Sequence, residues 1–465
     1  MMAEDGRLEK DTLGDVLVPR SAYYGAQTQR AVDNFPISGT PMPRPFLEAL
    51  ALIKEKAAEV HAADGRLDPA LADAICQAAR EVRSGKHWDQ FPVDVFQTGS
   101  GTSTNMNMNE VLAGRANEIL TGRRGGKHPV HPNDHVNMAQ SSNDVIPTAL
   151  HIAGWCGIRD KVLPALGRLE ETLRRKAESF ADVIKIGRTH LQDALPVTLG
   201  QEFSGYARQI ALGRDRLRAV EPRLSEVALG GTAVGTGVGV PPGFVKKVLD
   251  RINAETGGAF REAENHFEAQ SAQDAVVETG GALKTVAVSL YKIANDLRWL
   301  ASGPRCGLSE IRLPAVQPGS SMMPGKINPV ILEAVIQAAT RVMGNDGTLT
   351  LAGQGGVFEL HLMLPLLAYT LLESIELIGN SASVLADKCI QGIQAHRQRC
   401  AALVEQSLAL ATSLVPLLGY DKAAEVAKKA YEDGVTVREA ARSLGIAPEE
   451  TIDAALADVV PRDRR

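Results

Sequence analysis

Along the middle of the chain, apolar residues recur at intervals of three and four. Trp155, Ile158, Val162, Leu166, Leu169 and Leu173 form one such stripe, within which Pro164 is expected to start or kink a helix. Leu199, Phe203, Tyr206, Ile210, Leu217 and Val220 form a cleaner one, interrupted only at Gly213. A third, Val276, Leu283, Val286, Leu290, Ile293, Leu297 and Leu300, predicts a helix of about 25 residues, ~37 Å at 1.5 Å per residue. A fourth helical region opens after Pro329 and is expected to run to about Ile378, with kinks at Gly344, at the GQGG run of residues 353 to 356 and at Pro365. Residues 140–396 therefore read as a bundle of long helices.

The flanks are different in character. Residues 1–139 are broken by Pro, Gly and Asn, as in PISGTPMPRP at 36 to 45, and read as short helices and loops. Residues 397–465 return to short pieces such as Lys422 to Asp433 and Val435 to Leu444, the second stopped by Gly445. No strand alternation lasts long enough to displace an all-α fold, and no fixed-period repeat is present. The expectation is three domains, 1–139, 140–396 and 397–465, in keeping with 465 residues at roughly 150 per domain. Stripes on several long helices leave apolar surface on both sides of a bundle, which favours oligomerisation.

Composition narrows the partners. Only 4% of residues are aromatic, so the core must be filled with Ala, Leu, Val and Ile, which suits close helix packing. A net charge of −5 with mixed signs leaves no basic stripe for nucleic acid. No stretch reaches ~18 uninterrupted apolar residues, and MMAEDGRLEK lacks the apolar core of a signal peptide, so a cytoplasmic protein without a membrane partner is expected. The five cysteines are scattered and form no C-x2-C pair, which fits a reducing compartment.

Three polar segments interrupt the helical text with Ser, Thr, Asn and His but little of the Lys and Glu of a plain solvated loop. In TGSGTSTNMNMNE, residues 98 to 110, the hydroxyls either cap the helix that follows or, with its N–H groups, bind an anion. In HPVHPNDHVNMAQSSNDVIPTALH, residues 128 to 151, prolines separate His128, His131 and His135 and spoil the i, i+4 spacing of a zinc helix. Ser141 to Asp144 in the same segment are again caps or anion contacts. The third segment, QPGSSMMPGKINPVILE at 317 to 333, has the Pro and Gly brackets of a hinged lid and matches neither a hydrolase elbow nor a phosphate loop. GGTAVGTGVGV at 230 to 240 fails the dinucleotide fingerprint, with Val240 and Pro242 near the place of its third glycine.

GSSMMPGKIN, Gly319 to Asn328, resembles the signature loop of the fumarase/aspartase superfamily, G-S-S-x-M-P-x-K-x-N. TGSGTSTNMNMNE and HPNDHVNMAQSSND with GRTHLQDALPVTLGQE resemble its other shared regions in the same order, and the similarity runs from GAQTQRA near residue 25 to GYDKAA at 419 to 424. GRTH at 187 to 190 and MPGK at 323 to 326 are similar to class II fumarate hydratases, where aspartate ammonia-lyases typically read GRTQ and MPAK. Other lyases of the superfamily, and non-catalytic relatives such as lens crystallins, are the alternatives.

The resemblance implies an all-α, three-domain fold whose long central helices assemble into a twenty-helix core in a homotetramer, with each site shared among three chains. It implies fumarate and L-malate as substrate and product, and neither a metal nor a cofactor. Ser320 is the implied base and His190 the acid, oriented by Glu333. Ser100, Gly101, Thr102, Ser141, Ser142, Asn143, Thr189, Ser321, Lys326 and Asn328 are the implied substrate contacts, and His131, Pro132, Asn133 and Asp134 an accessory anion site. The residue types suit the chemistry. Removing a proton beside a carboxylate raises extra negative charge that Lys326 and Asn328 can stabilise, while neutral hydroxyls and amides hold a dianion without burying several full charges. Two positions depart from the pattern: His128 stands where relatives commonly carry a basic residue, and His361 ends FELH where the family usually reads FELN.

Overall fold

The structure, a computed structural model, describes residues 6–457. It is all-α, its strands confined among the described residues to small two-stranded sheets. Two compact units share the chain. One gathers the residues up to Pro164 with Asp215–Ala287 and Thr340–Gly379; the other gathers Ala165–Arg214, Val288–Ala339 and the residues from Asn380 on.

The second and third apolar stripes are continuous helices, Leu199–Leu224 and Asp274–Leu300, the first runs from Ser142–Gly157 through a wide turn at Ile158–Val162 into Leu163–Ser179, which begins one residue before Pro164, and the fourth region holds Val330–Gly353 and Leu364–Lys388. Gly213 and Gly344 lie within helices and end neither, because a single glycine costs only about 1 kcal/mol against the packing of a long apolar face. The fourth region is two helices rather than one kinked one. The first ends at Gly353, a small hairpin pairs Gly356–Val357 with Leu360–His361, and Pro365 sits in the first turn of the next helix, where its missing N–H is harmless. That helix runs past Ile378 to Lys388.

In the first unit the helices are longer than the Pro and Gly punctuation suggested. Arg44–Ala63 and Thr102–Thr121 have 20 residues each, since Pro43 and Pro45 start the former rather than break it. Arg44–Ala63 packs on Pro69–Arg83, Ser142–Gly157 and Phe244–Thr256, and Phe46, Leu50, Ile53 and Val60 are completely buried. Glu110, on Thr102–Thr121, caps a neighbouring helix: its carboxylate accepts from the N–H groups of Gly25, Gln27 and Thr28 and from the Thr28 hydroxyl at the start of Ala26–Asn34.

In the second unit a hairpin pairs Ile184–Thr189 with Gln192–Thr198 around a bulge between Ile186 and Arg188. Farther along, Leu410, Leu414, Val426, Ala430, Val437, Ala440, Ile452 and Leu456 form a local core for short helices, among them Tyr420–Asp433 and Val437–Ser443. Thr436 and Glu439 close a capping box there, and Gly445 ends the second helix at a φ of 62°.

Candidate functional site

Within the first unit, the N-termini of two helices bring the polar runs together. Thr102–Thr121 is preceded by Gly101 at a φ of 73°, a left-handed conformation that favours glycine. No Ser or Thr of the run caps this helix. Gln97 does so instead, its Oε1 accepting from the Thr104 N–H and hydroxyl at 2.9 and 2.8 Å. The N–H groups of Thr102 and Ser103 have no acceptor among the described residues, which leaves two donors at a helix N-terminus. Ser100 is buried, with Oγ 2.8 Å from Thr102 Oγ1.

Ser141 caps the second helix, Ser142–Gly157, in a capping box with Asp144. The Asp144 carboxylate is completely buried and also accepts from the N–H groups of Gly230 and Thr232, while Asn143 Nδ2 donates to the Ala233 carbonyl at 2.7 Å. The Gly-rich run at 230 to 240 thus latches onto this helix start. Burial pushes the Asp144 carboxyl up from its ordinary value, against the three N–H donors and the Lys54 charge. Ser142 is buried, and its Oγ accepts from Asn105 Nδ2 at 3.0 Å. Beneath it, Asn137 Oδ1 accepts from Lys54 Nζ at 2.8 Å, Asn109 Nδ2 at 3.1 Å and Asn105 Nδ2 at 3.2 Å. Leu364, which follows the segment from 354 to 363, donates its N–H to the Gly99 carbonyl in the loop before Thr102–Thr121, 2.9 Å. His361 gives that segment rigidity: the buried ring approaches the Gly353 carbonyl through Nε2 and accepts the Met363 N–H at Nδ1, a neutral tautomer that burial favours by pushing its pKa down.

His131 begins a single wide turn, Pro132–Val136. Its Nδ1 accepts from the N–H groups of Asn133 and Asp134 at 3.2 and 3.1 Å, so those two donors serve the imidazole, whose pKa desolvation lowers. Pro132 is buried, while Asn133 and Asp134 are exposed.

Within the second unit, the residues from Gly319 to Asn328 fold back on themselves. Gly319 N donates to the Lys326 carbonyl at 2.7 Å and Asn328 Nδ2 to the Gly319 carbonyl at 2.5 Å. A Cβ at Gly319 would stand 2.5 Å from that Lys326 oxygen, so only glycine closes this loop. Ser320 Oγ sits inside it and accepts from the N–H groups of Met322 and Met323 at 3.1 and 2.9 Å. Ser321 and Lys326 are exposed, and Glu333 lies half-buried in the first turn of Val330–Gly353. Thr189 and His190 are exposed at the tip of the 184–198 hairpin, where His190 and Leu191 have φ of 57° and 60°. Two consecutive positive φ values make the tight turn that matches strand twist, normally the place of Asn-Gly, so the imidazole is held at some backbone cost. No hydrogen bond joins His190 to Glu333 among the described residues.

Three side chains that hold these pieces had no signal in the sequence. Lys54 lies in the part of the chain read as short helices and loops, Asn137 inside a polar run whose serines and histidines drew the attention, and Glu310 in a Gly- and Pro-broken stretch, and only their contacts single them out.

The chain matches a family model described as Lyase over residues 14–344 and one described as Fumarase C C-terminus over residues 410–457. It is 51% identical to the class II fumarate hydratase of Thermosynechococcus vestitus over 97% of either chain. It is 53% identical to that of Nitrosomonas europaea, over 96% of this chain and 97% of the relative. The mitochondrial fumarate hydratase of Danio rerio is 51% identical, over 97% of this chain and 89% of the relative. Among solved structures, the class II fumarase of Schistosoma mansoni superposes with a TM-score of 0.94 at 40% identity, covering 98% of this chain and all of that one (100%). A fumarate lyase:delta crystallin from Brucella melitensis in native form gives 0.89 at 45%, covering 97% and 99%.

Proposed function

The chain belongs to the class II fumarate hydratase family of lyases, and from that membership we propose that it catalyses the reversible hydration of fumarate to L-malate. In the dehydrating direction, Ser320 takes the proton from the carbon beside one carboxylate, and the electron pair left behind spreads onto that carboxylate as a dianionic aci-form. Hydroxide then leaves from the opposite face with a proton from His190, whose imidazole Glu333 orients and charges. Hydration reverses these steps. Lys326 and Asn328 stabilise the extra charge of the intermediate, and Ser100, Thr102, Ser141, Ser142, Asn143 and Thr189 hold the two carboxylates.

One observation carries this reading. Ser320 Oγ lies between two N–H donors at 3.1 and 2.9 Å, and such a pair of dipoles stabilises an alkoxide, without which a serine is far too weak a base. The two free N–H groups at Thr102 and Ser103 supply the second need, a neutral cradle for a carboxylate. We take the working unit to be a homotetramer with sites shared among three chains. Exposed Val288, Tyr291, Trp299 and Leu351 on the long helices support that assembly.

The experiment is spectrophotometric: the ultraviolet absorbance of fumarate is followed after adding purified protein to L-malate and, separately, to L-aspartate. Absorbance is expected to grow with malate. Growth with aspartate alone would replace the reading by an ammonia-lyase, and silence with both would leave a structural protein.

A further inference from the structure

We infer that Lys54 is a positioning residue for the Ser141–Asn143 loop: it anchors Asn137 and through it Asn105, which fixes the Ser142 hydroxyl as a donor to substrate, while its buried positive charge favours binding of a dianion. The inference rests on the dicarboxylate reading of the site given above.

Lysine is rarely buried completely, and when it is, a carboxylate usually pairs with it or the ammonium reaches water along its flexible stem. Lys54 does neither. Its exposure is 0%, on a helix enclosed by three others, and no carboxylate of the described residues lies within 4 Å of its Nζ. Asp144 acts on it only at longer range, the carboxylate oxygens being engaged by the N–H groups of Ser141, Gly230 and Thr232. Burial accordingly pulls the ammonium down to about 7. Among the described residues its single hydrogen bond is to Asn137 Oδ1, at 2.8 Å.

That one contact has a long reach. With its oxygen turned to Lys54, the Asn137 amide presents an acceptor to Asn105 and Asn109, and its Nδ2 donates to the Gln140 carbonyl at 3.1 Å, just ahead of Ser141. Asn105 Nδ2 is thereby aimed at Ser142 Oγ, which becomes an acceptor on its inner side. A hydroxyl has one proton, so that of Ser142 must point elsewhere, and a carboxylate at the helix start is the acceptor it suits. A fold that needed only packing at this position would be better served by methionine. What the lysine adds is a fixed donor and a positive charge beneath a loop expected to hold two negative ones.

The test uses the full-length protein and Lys54→Met, which keeps length and apolar shape without donor or charge. Steady-state kinetics with L-malate, calorimetric binding of succinate as an unreactive four-carbon dicarboxylate, and thermal melting are compared with the parent. The expected result is a KM and a succinate Kd each at least tenfold higher, kcat within threefold, and a melting temperature that does not fall. If KM and Kd stay within twofold of the parent, or if kcat and melting temperature collapse with KM unchanged, the inference is overturned. Should Lys54→Met not fold, Lys54→Leu, which also lacks donor and charge, is read by the same criteria, and if both unfold Lys54 is structural support and the inference fails. A parent that neither turns over malate nor binds succinate overturns the dicarboxylate reading itself; an active parent with an unchanged variant overturns this inference alone.

Discussion

Arg188 and Glu310 meet in a two-pronged ion pair, Nη1 to Oε2 at 2.8 Å and Nη2 to Oε1 at 3.1 Å, two residues from the hairpin tip that carries His190. Glu310 is completely buried, with Lys185 Nζ 3.5 Å from it and also 2.8 Å from Glu202. Two cations and two carboxylates therefore balance beneath the hairpin, and the planar fork of the arginine sets the angle at which the strand leaves.

Glu310→Gln keeps the shape of the side chain and removes one of the two negative charges. With Lys185 and Arg188 left facing Glu202 alone, the protein is expected to lose roughly 3–5 kcal/mol of stability, the usual cost of breaking a buried pair from one side. Denaturant unfolding measures it. A loss under 1 kcal/mol would mean that solvent reaches the pair.

Ser320→Ala is expected to lower kcat by about 10²- to 10⁴-fold, the range for removing a positioned acid or base, while leaving the melting curve unchanged. Among the described residues the hydroxyl bonds only to N–H groups of its own loop, so the fold does not depend on it. Residual activity above a tenth of the parent's would take the base role away from Ser320.

His190→Asn separates the imidazole from the backbone that presents it. Asparagine tolerates the left-handed conformation at φ 57° better than most residues, so the hairpin and its stability should be retained while turnover falls by about 10²-fold or more. Circular dichroism and malate kinetics on the same preparation decide between loss of an acid and loss of a hairpin.

Glu81 links acid stability to the first unit. The Arg115 guanidinium, with His87 and Gln77, holds its carboxyl down to about 2, well below the usual carboxylate range. A depressed folded-state pKa stabilises the protein above the unfolded value of ~4.5 and loses that contribution as pH falls toward 2. Glu81→Gln should therefore be less stable by about 1–2 kcal/mol at pH 7, after allowance for solvent screening, and the gap should close between pH 4.5 and 2. Urea midpoints across that range test it; a gap independent of pH would mean the effect is steric.

Apolar spacing alone located the long helices, because a face of one side chain in every three or four is a local property of the chain. Motif order likewise located the polar runs. Spacing misjudged the chain where a signal was local but its consequence was not. Pro43 and Pro45 read as breaks yet start a 20-residue helix, and GQGG reads as a kink yet ends one helix before a small hairpin. The GRTH motif, legible as chemistry, gave no hint that His190 stands on a tight β-turn.

What the sequence determined by itself was the helical class, the family resemblance and the candidates for the reacting groups, all of which depend on residue type and short-range order. Tertiary structure alone decided which polar residues support the others. Glu110, at the end of the polar run from 98 to 110, caps another helix; Asn105 and Asn137 tie Ser142 to Lys54; Glu310 holds the His190 hairpin from more than a hundred positions away. Such partnerships join groups far apart in the chain, and a hydrogen bond or ion pair leaves no periodic trace in a sequence because its strength depends on distance and burial that only the folded chain supplies.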